Sequence, residues 1–355
     1  MKRIMLIITG ACNLKCTYCY ERLKDNKIMT FGIAKQIIDN TIAGNMNEKI
    51  IIEYFGGEPL LNFSLIVQLE EYLNEHYHDR DIRFFITTNG TVLNDSIKDW
   101  LYRHREKYTV NLSLDGKKNN HNMIRKFKDG SDSYDSIDVD FFKETWEKCS
   151  VNLTVAPQTL DTFYENVVWV EEQGFICQAG FALGVDWNSI NYKKILAKQL
   201  EQLREYYIRH PKRGLCLALR YDLRELLKKD NKEYLPCGVG TFATCFDTDG
   251  RKYPCNGFSH LVFSNENIEQ RSFQLKPENI CYSCKFKRLC KTCFAANYYL
   301  YGNMQKQSDE VCDINRMCII TSYLIQKERN NILYHYTEEE LYYISKIVDE
   351  NRSSG

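Results

Sequence analysis

Charge of one sign is what this chain most lacks: 47 Lys and Arg stand against 47 Asp and Glu over 355 residues, a formal net charge of zero. No arginine- or lysine-rich face offsets that balance, so a polyanion is not the expected partner, and nucleic acid is excluded on that ground. Missing too is any run of about 18 apolar residues, so no membrane-spanning helix is expected. An export signal is also lacking. Met1-Lys-Arg is a basic start, but the apolar run from Ile4 is short and meets Cys12 with no small-residue cleavage site. Thr9 stands three before Cys12, where a lipoprotein box wants an aliphatic residue. The run reads instead as a buried first strand, and the expected location is the cytoplasm. Internal repeats beyond βα units and low-complexity tracts are absent as well.

What is present marks a folded protein. Hydrophobic residues make up 44%, aromatics 13% and charged residues 26%, enough apolar surface to offset the entropy of ordering. At this length one large domain plus a smaller one is expected. Cysteine is the strongest compositional signal, with 15 residues. Two readings compete: a disulfide framework of an exported protein, or reduced thiolates that hold metal. With no export signal, the second is preferred.

The N-terminal half alternates β-branched runs with amphipathic stretches. Strands are expected at 4–9, 50–55, 83–88, 110–114, 151–155 and 175–183. Helices are expected between them at 32–43, 64–76, 95–104, 134–148 and 162–173, with Gly174 as a C-terminal stop. Such alternation implies parallel strands joined by right-handed crossovers. Six units make an α/β fold, a partial (β/α)6 TIM-like barrel or a curved open sheet, with ligands at the C-terminal ends of its strands. A long polar-faced helix follows at 192–210. From Cys237 to about Asp313 periodicity gives way to glycine, cysteine and aromatics, a segment expected to borrow stability from metal. The tail at 314–350 returns to a helical pattern. The expected division is a core at 1–190, a helical linker at 191–236, a cysteine-rich domain at 237–320 and a helical tail at 321–355.

Directly after the first strand stands Cys12-Asn-Leu-Lys-Cys16-Thr-Tyr-Cys19. Three thiolates on one short loop can grip three irons of a four-iron cube and leave the fourth without a protein ligand. An open metal position suits catalysis; a structural zinc site, the alternative, is normally closed by four ligands. No fourth Cys or His follows before His76. Cys12-x3-Cys16-x-Tyr18-Cys19 resembles the signature of the radical S-adenosylmethionine (SAM) superfamily. The resemblance implies that the open iron chelates SAM and that one electron cleaves it to a 5′-deoxyadenosyl radical, which abstracts a hydrogen atom. Further matches follow in order. Gly56-Gly57-Glu58-Pro59 resembles the motif that receives the SAM amino group, where glycines allow close backbone approach and Glu58 offers an acceptor. Asn89 closes strand three, and Ser113 and Asp115 close strand four. Arg125 lies beyond them, and the resemblance implies that Ser113 and Arg125 contact the SAM carboxylate and ribose region. By the same resemblance Tyr18 and Leu183 also join the SAM site. Taken alone, Ser113-Leu-Asp115-Gly116 reads as an Asx-capped turn, and His121, expected in a polar loop, reads as structural.

A second array comprises Cys237, Cys245, Cys255, Cys281, Cys284, Cys290, Cys293 and Cys312. Eight thiols are enough to close two further cubes; structural zinc is again the alternative. The array resembles the SPASM domain of radical SAM peptide and protein maturases. That resemblance implies one auxiliary cluster on Cys237, Cys245, Cys255 and Cys293 and another on Cys281, Cys284, Cys290 and Cys312, three [4Fe–4S] clusters in all. The family has three residues between the last two cysteines of the run, whereas Lys291-Thr292 are two. Cys149, Cys177, Cys216 and Cys318 read as buried thiols.

The resemblance implies hydrogen abstraction from a ribosomally made peptide, installing a thioether or carbon–carbon crosslink or another oxidative or excising modification. The alternatives are formylglycine generation on sulfatases, a small-molecule dehydrogenase, and a non-catalytic metal-binding or electron-transfer scaffold. In sulfatase maturases an Asp base follows the third cysteine of the array; here Asn256 follows Cys255, and Asn accepts no proton as a carboxylate does. Asp247 and Asp249 are nearby substitutes. The first strand begins too early for an N-terminal leader-recognition domain, so the leader of a precursor peptide is expected to be held by a separate leader-recognition protein or by the C-terminal helices, with a flavodoxin or ferredoxin as electron donor. The catalytic base, the modified residue and the oligomeric state are left open.

Overall fold

The computed structural model describes residues 2–45, 48–228, 237–239, 243–264 and 280–352; residues 229–236 of the expected linker lie outside it. β1 (Lys2–Thr9) is KRIMLIIT, and from Ile4 onward every residue is buried, as befits a central strand covered on both faces. α1 (Phe31–Ala43) starts where the Thr30 hydroxyl accepts from the Ile33 amide. β2 (Ile50–Gly56), α2 (Phe63–His76), β3 (Ile82–Thr88) and α3 (Asp95–His104) follow, the last capped by the Asn94 side chain. β4 (Tyr108–Ser113) leads into α4 (Lys118–Ile124), α5 (Val139–Thr145), β5 (Ser150–Val155), α6 (Phe163–Glu172) and β6 (Ile176–Phe181). β1 to β5 pair in parallel in sequence order. This βα order is that of the six-unit partial barrel expected from the sequence.

Two expectations need correction. The helix foreseen over 134–148 is a 3-10 turn at Tyr134–Ser136 and then the short α5. Ile137 is extended (φ −100°, ψ 118°), and the Asp138 carboxylate accepts from the Phe141 amide, so a fresh helix starts there. His121 lies on α4, fully buried, rather than in a polar loop.

The sheet also holds two strands that periodicity did not reveal. β7 (Ala243–Phe246) pairs parallel with β1, Met5 beside Cys245, and β8 (Lys252–Tyr253) pairs antiparallel with β7. The strand order is β6-β5-β4-β3-β2-β1-β7-β8. The chain divides into two compact units that interleave in sequence. The first comprises 1–153, 170–176 and 238–272; the second comprises 154–169, 177–237 and 273–355. The second is mostly helical: α7 (Tyr192–Arg209), α8 (Ile280–Ser283), α9 (Phe294–Tyr301), α10 (Asp309–Glu328) and α11 (Glu338–Arg352). The expected helical tail is thus two helices, parted at Asn330–Tyr334 by a single π turn that ends at His335 with φ 53°. Among the described residues no helix is long and apolar enough to cross a membrane.

Candidate cysteine-rich active site

The loop after β1 carries Cys12, Cys16 and Cys19, and neighbouring segments hold its backbone on two sides. On one side Lys15 N–H donates to Lys126 O (2.8 Å) and Thr17 N–H to Ile124 O (2.9 Å), zipping the loop to the end of α4. On the other, Glu58 N–H donates to Ala11 O (2.8 Å) and Gly57 N–H to Thr9 O (3.1 Å). Here the two glycines show their use. A Cβ on Gly57 would stand 2.3 Å from Ala11 O, and one on Gly56, whose φ is +133°, 2.1 Å from Thr9 O. What these glycines approach so closely is the backbone leading into the cysteine loop, a contact the sequence alone did not reveal.

Glu58 is buried beneath this junction. Thr88 Oγ1 and Asn89 N–H donate to its two oxygens at 2.7 Å each, and Leu60 N–H adds a third bond at 3.1 Å. Burial nonetheless pushes its carboxyl up to about 7. Asn89 turns its amide to Asn13 Oδ1 (2.9 Å) in the cysteine loop, and Asn13 donates in turn to Thr91 (2.7 Å). Asn13 and Thr88 thus join the site without having been singled out from the sequence: Asn13 stands inside the cysteine motif and Thr88 directly before Asn89.

The end of β4 supplies a charged centre. Asp115 is fully buried; Tyr18 Oη donates to its Oδ2 at 2.7 Å and Arg125 Nε at 2.5 Å. Arg125 also reaches Cys16 Sγ (3.8 Å) and lies over the Tyr18 ring. Tyr18, Asp115 and Arg125, noted separately in the sequence, therefore form one network with Cys16. His121 braces it from behind. Its Nδ1 accepts from Asp115 N–H (3.3 Å) and its Nε2 donates to Ser133 Oγ (3.0 Å), which donates on to Arg125 O (2.9 Å). Burial and the nearby Arg125 push the imidazole down to about 4. Ser113 is buried at the end of β4, and Leu183 sits in the turn after β6, in the second unit.

A donor set for an iron–sulfur cube needs thiolates that sit near one another and near positive charge, and this loop fits. Burial pushes Cys12 up to about 11 and raises Cys16, while Lys24 pulls both back and Arg125 pulls on Cys16. Lys24 Nζ donates to Cys19 Sγ at 2.8 Å. Among the described residues no three His, Cys, Asp or Glu close on a single-ion position; a cube instead puts each thiolate on a different iron.

The second array is divided between the units. In the first, Cys245 on β7 is fully buried, raised by burial and by Cys255. Asn256 donates to Tyr20 Oη at 2.6 Å, tying the Cys255 segment to the residue after Cys19. In the second unit, burial and then mutual repulsion raise Cys281, Cys290 and Cys312, with Cys284 within range of all three. Cys312 rides on the first turn of α10, and Cys237 lies within range of Cys293. Cys149, Cys177, Cys216 and Cys318 are buried.

Residues 6–168 match the radical SAM superfamily. Over 96% of its length the chain is 25% identical to the radical SAM cyclopropyl synthase TigE of Paramaledivibacter caminithermalis, covering 77% of that protein. It is 27% identical to a cysteine-type anaerobic sulfatase-maturating enzyme of Clostridium perfringens, over 80% of this chain and 85% of that one. The solved structure of native anSMEcpe with bound AdoMet shares the fold, with a TM-score of 0.72 at 22% identity over 93% of this chain and 99% of that one. With its cysteine loop, glycine turn and buried Glu58 on successive strand ends of a parallel sheet, the chain belongs to the radical SAM superfamily through residues 6–168.

Proposed function

We propose that this chain is a maturase that abstracts a hydrogen atom from a ribosomally made peptide and so installs a crosslink or another oxidative modification. The observation that carries the reading is the three-thiol loop clamped between the Gly56-Gly57 turn and the end of α4, with Arg125 and Lys24 facing its sulfurs. Cys12, Cys16 and Cys19 would hold a [4Fe–4S] cluster, and Tyr18, Gly56, Gly57, Glu58, Asn89, Ser113, Asp115 and Arg125 would line the SAM site. When bound, the cluster and SAM supply the radical that makes the abstraction. The residues of this chain orient them: Glu58 offers a carboxylate to an ammonium, Arg125 presents a fixed cation, and Asp115 holds that cation in place.

Of the two auxiliary clusters expected from the sequence, the one on Cys281, Cys284, Cys290 and Cys312 would lie within the second unit. The nearness of Cys284 to Cys281, Cys290 and Cys312 supports that set. A peptide substrate is supported by the likeness to solved structures that hold one, anSMEcpe with the Cp18Cys peptide and Streptococcus suis SuiB with the precursor peptide SuiA. A low-potential flavodoxin or ferredoxin would supply electrons.

Formylglycine generation is the second reading, favoured by the match to the sulfatase-maturating enzyme. Against it, Asn256 spends its amide on Tyr20 and offers no carboxylate base. One experiment separates the readings. Anaerobically reconstituted protein is given SAM and dithionite with either the short peptides encoded beside its gene or a sulfatase-derived Cys peptide. Mass loss or crosslinking in the former supports the lead reading; conversion of Cys to formylglycine in the latter replaces it. Cys16→Ala abolishes 5′-deoxyadenosine formation if the loop holds the catalytic cluster, and a retained rate refutes the assignment.

A further inference from the structure

Resting on that reading of the Cys12–Cys19 loop, we propose that Lys24 sets the reduction potential of the loop's cluster, its ammonium raising the potential and the buried carboxylate of Glu21 holding it down.

The geometry is local and specific. Five residues beyond Cys19 the chain turns back, and the Lys24 amine comes within 2.8 Å of the Cys19 sulfur. It is half-buried, so water screens it less than a surface lysine. Its charge also reaches Cys12 and Cys16. An ammonium placed so is costly unless it answers a negative charge, and a thiolate-bound cube provides one.

Glu21 is the counterweight. It is buried, it lies within Coulombic range of Lys24, and its Oε1 has no hydrogen-bond partner within the protein. Other groups act on this corner. Arg125 and Asp115 face Cys16 from the α4 side, and His260 faces Glu21 from the segment after β8. His260 is itself held between Asp25 and Asp247, both at 3.4 Å.

Reduction adds one electron from an external low-potential donor to the oxidised cube, with no bond made or broken. The reduced form carries one more negative charge. A fixed cation donating N–H to a ligand sulfur stabilises that form more than the oxidised one, as hydrogen bonds to cluster sulfurs generally do. Lys24 therefore eases electron entry. Glu21 opposes it and keeps the reduced cluster reactive enough to pass its electron on.

The test is an EPR-monitored redox titration of the reconstituted holoenzyme at pH 8, with iron counted in each sample. Lys24→Met lowers the reduced-to-oxidised ratio at a fixed potential about tenfold, equivalent to about 59 mV for one electron. Lys24→Arg stays within about threefold of the parent, and Glu21→Gln shifts the ratio the opposite way. Shifts of opposite sign from two neighbouring substitutions are not produced by a merely structural disturbance. A Lys24→Met protein with full iron and an unchanged ratio overturns the proposal. If Lys24→Met holds no cluster, Lys24→Gln, which keeps an N–H donor without the charge, decides on the same scale. Parent protein with no cluster signal on this loop sinks the proposed function instead, so the two failures are distinguishable.

Discussion

At the scale of single residues, the site is governed by close approach and by charge. Gly57→Ala puts a methyl against Ala11 O, and backbone there has no flexible end to yield. A loss of roughly 1–3 kcal/mol is expected in chemical denaturation, together with poor iron retention, because the strained neighbour leads into Cys12. Asp115→Ala leaves the Arg125 guanidinium buried without its partner. Breaking a buried pair from one side costs about 3–5 kcal/mol, and a urea titration of the variant should show it. The sequence displayed both Gly56-Gly57 and Asp115 as motif members, but it could not display what they touch. Lys24 carried no motif signal at all; only the fold of the loop puts its amine on a sulfur.

Among the elements, α4 joins the chemistry to the scaffold. Burial and the nearby Arg125 keep His121 on that helix neutral, and protonation of its Nδ1 would break the bond it accepts from the Asp115 amide. Its pKa falls from 6.5 to about 4, so above pH 6.5 the group has no effect on stability. As pH drops from 6.5 toward 4 the unfolded chain takes up a proton that the folded chain refuses, and stability falls, by roughly 3 kcal/mol at the limit. His121→Gln should flatten that part of the stability–pH curve, which thermal melts between pH 4 and 7 can follow. Helices with strong periodicity and a clear cap were legible in advance: α3 runs from Asp95 to His104 as expected, started by Asn94. α5 was misread because the sequence Asp135-Ser-Ile-Asp138 carries helical periodicity around a residue that caps a new start. β7 was missed because four residues are too few to show alternation, and its place is decided by pairing with β1.

For the whole molecule, the cysteines report on both compact units. Cys284→Ala should remove about four irons per chain if the second-unit thiols close one cube, while 5′-deoxyadenosine formation persists. Iron analysis beside a 5′-deoxyadenosine assay checks both halves. The sequence by itself determined the class of fold, because alternating strand and helix periods leave few ways to bury their apolar faces, and it determined that three thiols gather on one loop, because three cysteines within eight residues are close whatever the fold. Only tertiary structure decided how distant residues meet. The docking of Gly57 on Ala11, the gathering of Tyr18, Arg125 and Asp115, and the pairing of β7 beside β1 all join segments far apart in the chain. Such contacts leave no local pattern, since their partners are selected by packing and burial rather than by spacing.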